Sequence, residues 1–280
     1  MIEPIVGRYL HLDLGGRSHR IYFEECGTGV PLLCLHTAGA DGRQFRALLN
    51  DAAVTRNFRV VVFDMPWHGK SSPPAGWEQD EYRLTSDAYV EMILAVSGAL
   101  GLDRPVAIGC SIGGRIVLHL ALRHSARFRA LIGLQASAHV DPYYDLDWLH
   151  RTDAAGGETA GGIISGLVGP KSPPAERWET IWHYMQGGPG VFKGDLYFYK
   201  VDGDMRDKLG GIDTRACPLY LLSGEYDYSA PPEEAEAVAR SIPGARYVLM
   251  PGIGHFPMSE NAAAFRTHLL PVLEEIRAKA

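Results

Sequence analysis

Three side chains far apart in this 280-residue chain are of the types that nucleophilic catalysis needs: the Ser111 hydroxyl, the Asp227 carboxyl and the His255 imidazole. A serine hydroxyl attacks well only when a base takes its proton, and the base needs an acid to orient it. Ser111 lies in Val106-Ala107-Ile108-Gly109-Cys110-Ser111-Ile112-Gly113-Gly114, with glycine two places before it and two places after. An apolar segment of strand character precedes the serine, and residues 115–124 carry a helical pattern. The serine therefore stands where a strand turns sharply into a helix, and the close backbone approach there calls for neighbours without a Cβ. Such a turn lifts the hydroxyl clear of its own backbone and aims helix N–H groups at whatever the oxygen attacks. Taken alone, the same motif also fits a glycine-rich turn with a capping serine, so the rest of the chain must decide.

The elements that would position these groups alternate along the chain. Residues 7–14 and 19–25 read as a β-hairpin joined by Gly15-Gly16-Arg17-Ser18. Residues 30–36 and 58–63 are unbroken apolar runs, as suits strands covered on both faces. A short helix is expected over 44–49 and a longer one over 84–100, with Tyr89, Met92, Ile93, Val96 and Leu100 on one face. Strands follow at 106–110, 128–134, 219–223 and 246–250, with helices from Pro231 and from about Asn261. The pattern breaks between 138 and 213, a stretch rich in Trp, Tyr, Gly and Pro. The expected fold is α/β, a doubly wound and mostly parallel β-sheet with helices on both faces. Residues 1–137 and 214–280 would form the core, and 138–213 an inserted helical cap.

Sites in open α/β sheets lie beyond the carboxyl ends of the strands. His36, Asp64, Ser111, Asp227 and His255 all fall at such ends. Asp227 lies in Gly224-Glu225-Tyr226-Asp227 and His255 in Gly252-Ile253-Gly254-His255-Phe256-Pro257, each directly after an apolar strand. Ser, Asp, His is also the chain order of hydrolases with a glycine-flanked serine elbow. Together with His36-Thr37-Ala38-Gly39 and the Asp64-to-Ser71 loop, these motifs make the chain resemble the α/β-hydrolase superfamily over nearly its whole length.

The resemblance implies Ser111 as nucleophile, His255 as general base and then acid, and Asp227 as the group that orients His255. It implies an oxyanion hole from the backbone N–H groups of Ala38 and Ile112, and a cap over the serine. Three departures stand out. Thr37 replaces the usual glycine after the histidine, as in enol-lactonase-like members. Pro66-Trp67-His68-Gly69 replaces Arg-Gly-His-Gly, and Glu260-Asn261-Ala262 replaces Glu-x-Pro, a change expected to touch only helix capping. His36 and His68 are read as loop braces. Glu225, the rival acid, sits too close to its strand end.

Composition narrows the function classes. Apolar residues at 46% and charged residues at 21% describe an ordinary globular protein, and the net charge of −6 disfavours nucleic acid or an anionic membrane as partner. No apolar run reaches the roughly 18 residues of a membrane span, and residues 1–14 lack the core of a signal peptide. Cys26, Cys34, Cys110 and Cys217 show no Cys-x-x-Cys spacing, so reduced thiols in a cytoplasmic protein are expected. Neither a metal site nor a cofactor is called for, and the sequence leaves homo-oligomerisation open. Ten aromatic residues fall between Tyr143 and Tyr199, which points to an apolar, aromatic-lined pocket for a small-molecule substrate. Its candidate walls are Thr37, Trp67, Cys110, Trp148, Trp182, Tyr184 and Phe256, and Trp178, Trp182 and Met185 share a helical face. Lys193, Lys200, Arg151 and His183 are read as surface rather than as partners of a substrate carboxylate. The expected activity is hydrolysis of a small apolar or aromatic ester or lactone. Hydrolysis of a carbon–carbon bond in a β-diketone-like substrate is the alternative, and a non-catalytic ligand receptor the third reading.

Overall fold

Glycine punctuates the start of the chain and strand-forming runs follow. A computed structural model describes residues 2–141 and 156–279. Strands β1 (Val6–Leu14) and β2 (Arg17–Cys26) pair antiparallel with Leu14 opposite Arg17. That register leaves Gly15-Gly16 as a two-residue turn with φ of +56° and +74°, the left-handed pair that a twisted hairpin requires. Arg17 and Ser18, expected in the turn, already belong to β2. The remaining strands are β3 (Val30–Leu35), β4 (Phe58–Phe63), β5 (Val106–Cys110), β6 (Ala130–Leu134), β7 (Leu219–Gly224) and β8 (Arg246–Met250). They form one sheet in the order β1-β2-β4-β3-β5-β6-β7-β8, antiparallel from β1 to β4 and parallel from β4 to β8.

The helices are α1 (Arg46–Leu49), α2 (Ala52–Thr55), α3 (Ser86–Ala99), α4 (Ile112–His124), α5 (Gly156–Ser165), α6 (Pro174–Tyr184), α7 (Val191–Tyr197), α8 (Pro232–Ser241), α9 (Pro257–Glu260) and α10 (Ala262–Ala278). Thr85 starts α3 by accepting a hydrogen bond from Ala88 N at 3.2 Å, and Asn261 does the same for α10 through Ala264 N. Every position of β5, β6 and β7 is buried, and alternate residues enter different cores. On one face Ala107 joins Ile93 and Val96 of α3, Ile116 and Leu120 of α4, and Val238 of α8. On the other, Val106, Ile108 and Cys110 join Leu49 of α1 and Phe265, Leu269 and Leu273 of α10.

The chain leaves β3 toward β4 and returns to β5 on the other side of β3, so the carboxyl ends of β3 and β5 form a topological switch point. Their register sets Leu35 against Gly109, one residue before His36 and two before Ser111. Helices α5 to α7 lie between β6 and β7 in sequence. Ile164, Val168, Ile181 and Tyr184 from this insertion pack with Ala40 and Phe256, which belong to loops at the carboxyl ends of the sheet. Trp178 and Trp182 do share one face of α6, but it is the outer face, 68% and 55% exposed. Tyr143, Tyr144, Trp148 and Arg151 lie outside the described residues. Among the described residues no helix is long and apolar enough to cross a membrane.

Candidate active site

Ser111 has φ 58° and ψ −113°, a conformation that side-chain-bearing residues rarely adopt. It is held from both directions: its N–H donates to Leu134 O of β6 at 3.0 Å, and its C=O accepts from Arg115 N at 2.8 Å, which starts α4. A Cβ on Gly109 would lie 2.3 Å from Gly113 O, and one on Gly113 would lie 2.6 Å from Leu35 O. Strand, helix and neighbouring strand thus approach to a spacing that only hydrogen can fill. No hydrogen bond among the described residues takes the N–H of Ala38 or of Ile112, the first helical residue of α4.

Asp227 follows β7 with its carboxylate aimed by the backbone around it. Oδ1 accepts from Ser229 N at 2.8 Å and Ala230 N at 3.0 Å. The same oxygen lies 2.8 Å from His255 Nδ1, both groups being buried. The approach is close but out of line with the ring N–H, so the contact falls short of hydrogen-bond geometry. Such contacts commonly align only when substrate is bound. His255 is fixed through its backbone. Its N–H donates to Leu167 O at 3.0 Å, and its C=O accepts from Cys110 Sγ at 3.2 Å. The histidine loop is thereby fastened to the residue immediately before Ser111.

Three further residues support this arrangement, of which the sequence reading named only Glu260, within Glu260-Asn261-Ala262. Gln135, with φ 54° at the end of β6, accepts from Gly224 N at 3.0 Å and donates to Gly254 O at 2.7 Å. It ties the strand that leads to Asp227 to the loop that carries His255. Glu260 is buried and accepts from Gly254 N and from Gly169 N, the latter at 3.1 Å. Burial raises its pKa. Its role is to hold the His255 loop. Asp195 on α7 is the third. Gln135 had one legible signal, a polar amide closing an apolar strand; Asp195 had none.

Asp195 Oδ2 accepts from Gly39 N at 2.7 Å and from His68 Nε2 at 2.8 Å, while Oδ1 accepts from Tyr82 OH at 2.7 Å. His68 Nδ1 faces Pro66 O at 2.8 Å. Both ring nitrogens therefore face acceptors, which calls for the imidazolium. Burial opposes that charge, but Asp195 outweighs it and the His68 pKa is raised. His36 behaves oppositely. Nδ1 donates to Thr37 O at 2.9 Å and Nε2 accepts from Met65 N at 3.1 Å, a neutral ring whose pKa burial lowers to about 4. Both histidines brace loops, as read from the sequence.

The candidate pocket residues separate. Thr37 is buried; its N–H and Oγ1 both donate to Gln44 Oε1, at 3.1 and 3.0 Å, and its Oγ1 also meets Tyr184 OH. Tyr184 packs against Phe256 with ring centres 5.3 Å apart, and Phe256 meets His255 edge-on at 4.8 Å. Trp67 occupies the usual glycine position and keeps the left-handed φ of 75°, its ring stacked on Tyr82 and edge-on to Trp77. Cys110 packs in the core on the α10 side of the sheet, and burial raises its thiol pKa. Trp182 is a correction: its ring lies on the exposed face of α6 near Arg43, because the inward face is taken by Ile181 and Tyr184. Trp148 lies outside the described residues. Glu225 accepts from Gly252 N at 2.7 Å, Lys193 pairs with Glu81 at 3.1 Å, and His183 is buried rather than at the surface. No group of three His, Cys, Asp or Glu suited to a metal ion occurs among the described residues.

A family model described as the alpha/beta hydrolase fold matches residues 30–167. The chain is 29% identical to a 2-hydroxymuconate semialdehyde hydrolase of Pseudomonas putida, covering 94% of this chain and 92% of that protein. It is 26% identical to a pimeloyl-[acyl-carrier protein] methyl ester esterase of Chromobacterium violaceum, covering 91% and 98%. It also matches a polyketide synthase of Burkholderia thailandensis over 98% of itself and only 13% of that longer protein, at 26% identity. Among solved structures, a thermophilic esterase from Thermogutta terrifontis superposes with a TM-score of 0.83 at 22% identity, covering 96% of this chain and 99% of that one. Strand order, the serine turn and these likenesses agree, and the chain belongs to the α/β-hydrolase superfamily.

Proposed function

We propose that the protein is a serine hydrolase that cleaves a small apolar or aromatic ester or lactone, with residues 138–213 acting as a cap over the site. The observation that carries this reading is Ser111 on its strained turn, one residue after the cysteine that binds the His255 carbonyl, with His255 Nδ1 2.8 Å from Asp227. Ser111 Oγ attacks the acyl carbon while its proton passes to His255 Nε2, and Asp227 stabilises the resulting imidazolium. The N–H groups of Ala38 and Ile112 receive the oxyanion. As the tetrahedral adduct collapses, His255 returns the proton to the departing alkoxide or phenoxide and an acyl–Ser111 ester remains. Water then attacks that ester, His255 takes its proton, and the carboxylic acid leaves with Ser111 restored. No metal or cofactor is invoked.

Ser111→Ala should lower kcat on an aryl ester by about 10⁴-fold or more while leaving the fold intact. A variant that kept most of the activity would overturn the proposal. Carbon–carbon hydrolysis is the second reading, favoured by the 29% identity to the 2-hydroxymuconate semialdehyde hydrolase. Product analysis on a panel of esters, lactones and β-diketone-like compounds separates the two, since the bond that breaks differs. A fluorophosphonate that fails to label Ser111, beside tight binding of a ligand that is not turned over, would favour a receptor instead.

A further inference from the structure

Resting on that reading of Ser111, we infer that Asp195 on α7 and Tyr184 on α6 are positioning residues that hold the Ala38 N–H where an oxyanion would sit. Ala38 lies between two residues that the inserted helices grip from opposite sides. On the far side, Gly39 N–H donates to Asp195 Oδ2 at 2.7 Å. On the near side, Thr37 Oγ1 spends its one hydrogen on Gln44 Oε1, so Tyr184 OH must be the donor in the Tyr184–Thr37 contact. The Ala38 N–H belongs to the peptide that joins Thr37 to Ala38, so anchoring the Thr37 side chain before it and the Gly39 N–H of the next peptide after it limits the rotation of that plane and thus the direction of the N–H.

The partners argue against a role in the insertion's own folding. Gly39, His68 and Tyr82, the three donors to Asp195, all lie outside residues 138–213, as do Thr37 and Gln44. A fully buried carboxylate on a cap helix therefore accepts three hydrogen bonds from loops outside the insertion, one of them beside Ala38, with a histidinium as counter-charge. The consequence is that the oxyanion hole is complete only while the cap is seated. Gly39 itself has φ +68°, and a Cβ there would meet the Phe192 ring of α7 at 2.9 Å, so loop and helix are also in direct contact.

The test uses steady-state kinetics on an aryl ester that the wild-type protein turns over, with fluorophosphonate labelling of the same preparations. Asp195→Ala should lower kcat about 10²-fold with KM within about threefold, because the lost interaction acts on the transition state. The rate of labelling should fall in parallel, since the phosphonyl oxygen enters the same hole, while final stoichiometry counts folded sites. Tyr184→Phe, which removes only a hydroxyl, should lower kcat about tenfold with the same KM pattern; it decides alone if the alanine variant does not fold. Unchanged kcat, or a loss confined to KM, overturns the inference. Wild-type protein that neither turns over nor labels would instead overturn the Ser111 reading on which it rests.

Discussion

At the scale of single residues, the site is a set of groups whose protonation is set by what they face. Asp227 Oδ1 accepts from two backbone N–H groups as well as facing His255, so the backbone itself orients the carboxylate. Asp227→Asn should lower kcat by about 10³–10⁴-fold with little change in thermal stability, because the amide favours the wrong imidazole tautomer. Steady-state kinetics beside a melting curve checks this. Trp67 makes the complementary point. It adopts a backbone conformation worth about 1–3 kcal/mol of strain for a residue with a Cβ, and its stacking on Tyr82 and edge-on contact with Trp77 offset that cost.

At the scale of elements, the strand–turn–helix around Ser111 works because β3, β5 and α4 meet at Gly109 and Gly113. Gly113→Ala places a methyl carbon 2.6 Å from Leu35 O, a backbone atom that cannot rotate away. Overpacking of this kind should cost about 1–3 kcal/mol and shift α4 away from β3. The expected result is a lower urea midpoint together with reduced activity, because the Ile112 N–H moves with the helix. Unchanged stability would mean that the elements are not in the close contact described. Gln135 and Glu260 act at this scale too, fastening the His255 loop to β6, to β7 and to the insertion.

At the scale of the molecule, burial of titratable groups makes stability depend on pH. His36 and His119 are both buried neutral, with pKa values lowered to about 4 by desolvation. Below pH 6.5 the unfolded chain takes up protons that the folded chain refuses, so each histidine removes stability as pH falls from about 6.5 toward 4. Asp64, pushed up to about 6 by burial and then by Asp41, has the opposite sign and removes stability as pH rises from about 4 to 6. A single variant isolates one contribution. His119→Gln keeps a donor for Gly203 O and should lose about 2–3 kcal/mol less stability than wild type between pH 7 and pH 4.5. Urea unfolding at the two pH values measures it, and equal losses would contradict the buried neutral assignment.

The sequence by itself determined the sheet, the longer helices that flank it, and the position of Ser111, Asp227 and His255 after the carboxyl ends of its strands. Apolar runs of strand length, helical periodicity and glycine spacing are local properties, and Phe58–Phe63 and Arg246–Met250 match their expected bounds residue for residue. Helix caps at Thr85 and Asn261 likewise act on neighbours three residues away. Only the tertiary structure decided which side of α6 faces inward, because Trp182 and Tyr184 are both large aromatic residues in sequence and only packing separates the exposed ring from the buried one. It alone decided the partners of Asp195, which lie 113 to 156 residues away and leave no spacing to read. The same holds for Glu260, whose acceptor role at Gly254 and Gly169 arises from loop closure. A pattern can reveal what a residue's own backbone will do, whereas hydrogen bonds between distant loops exist only once the chain has closed on itself.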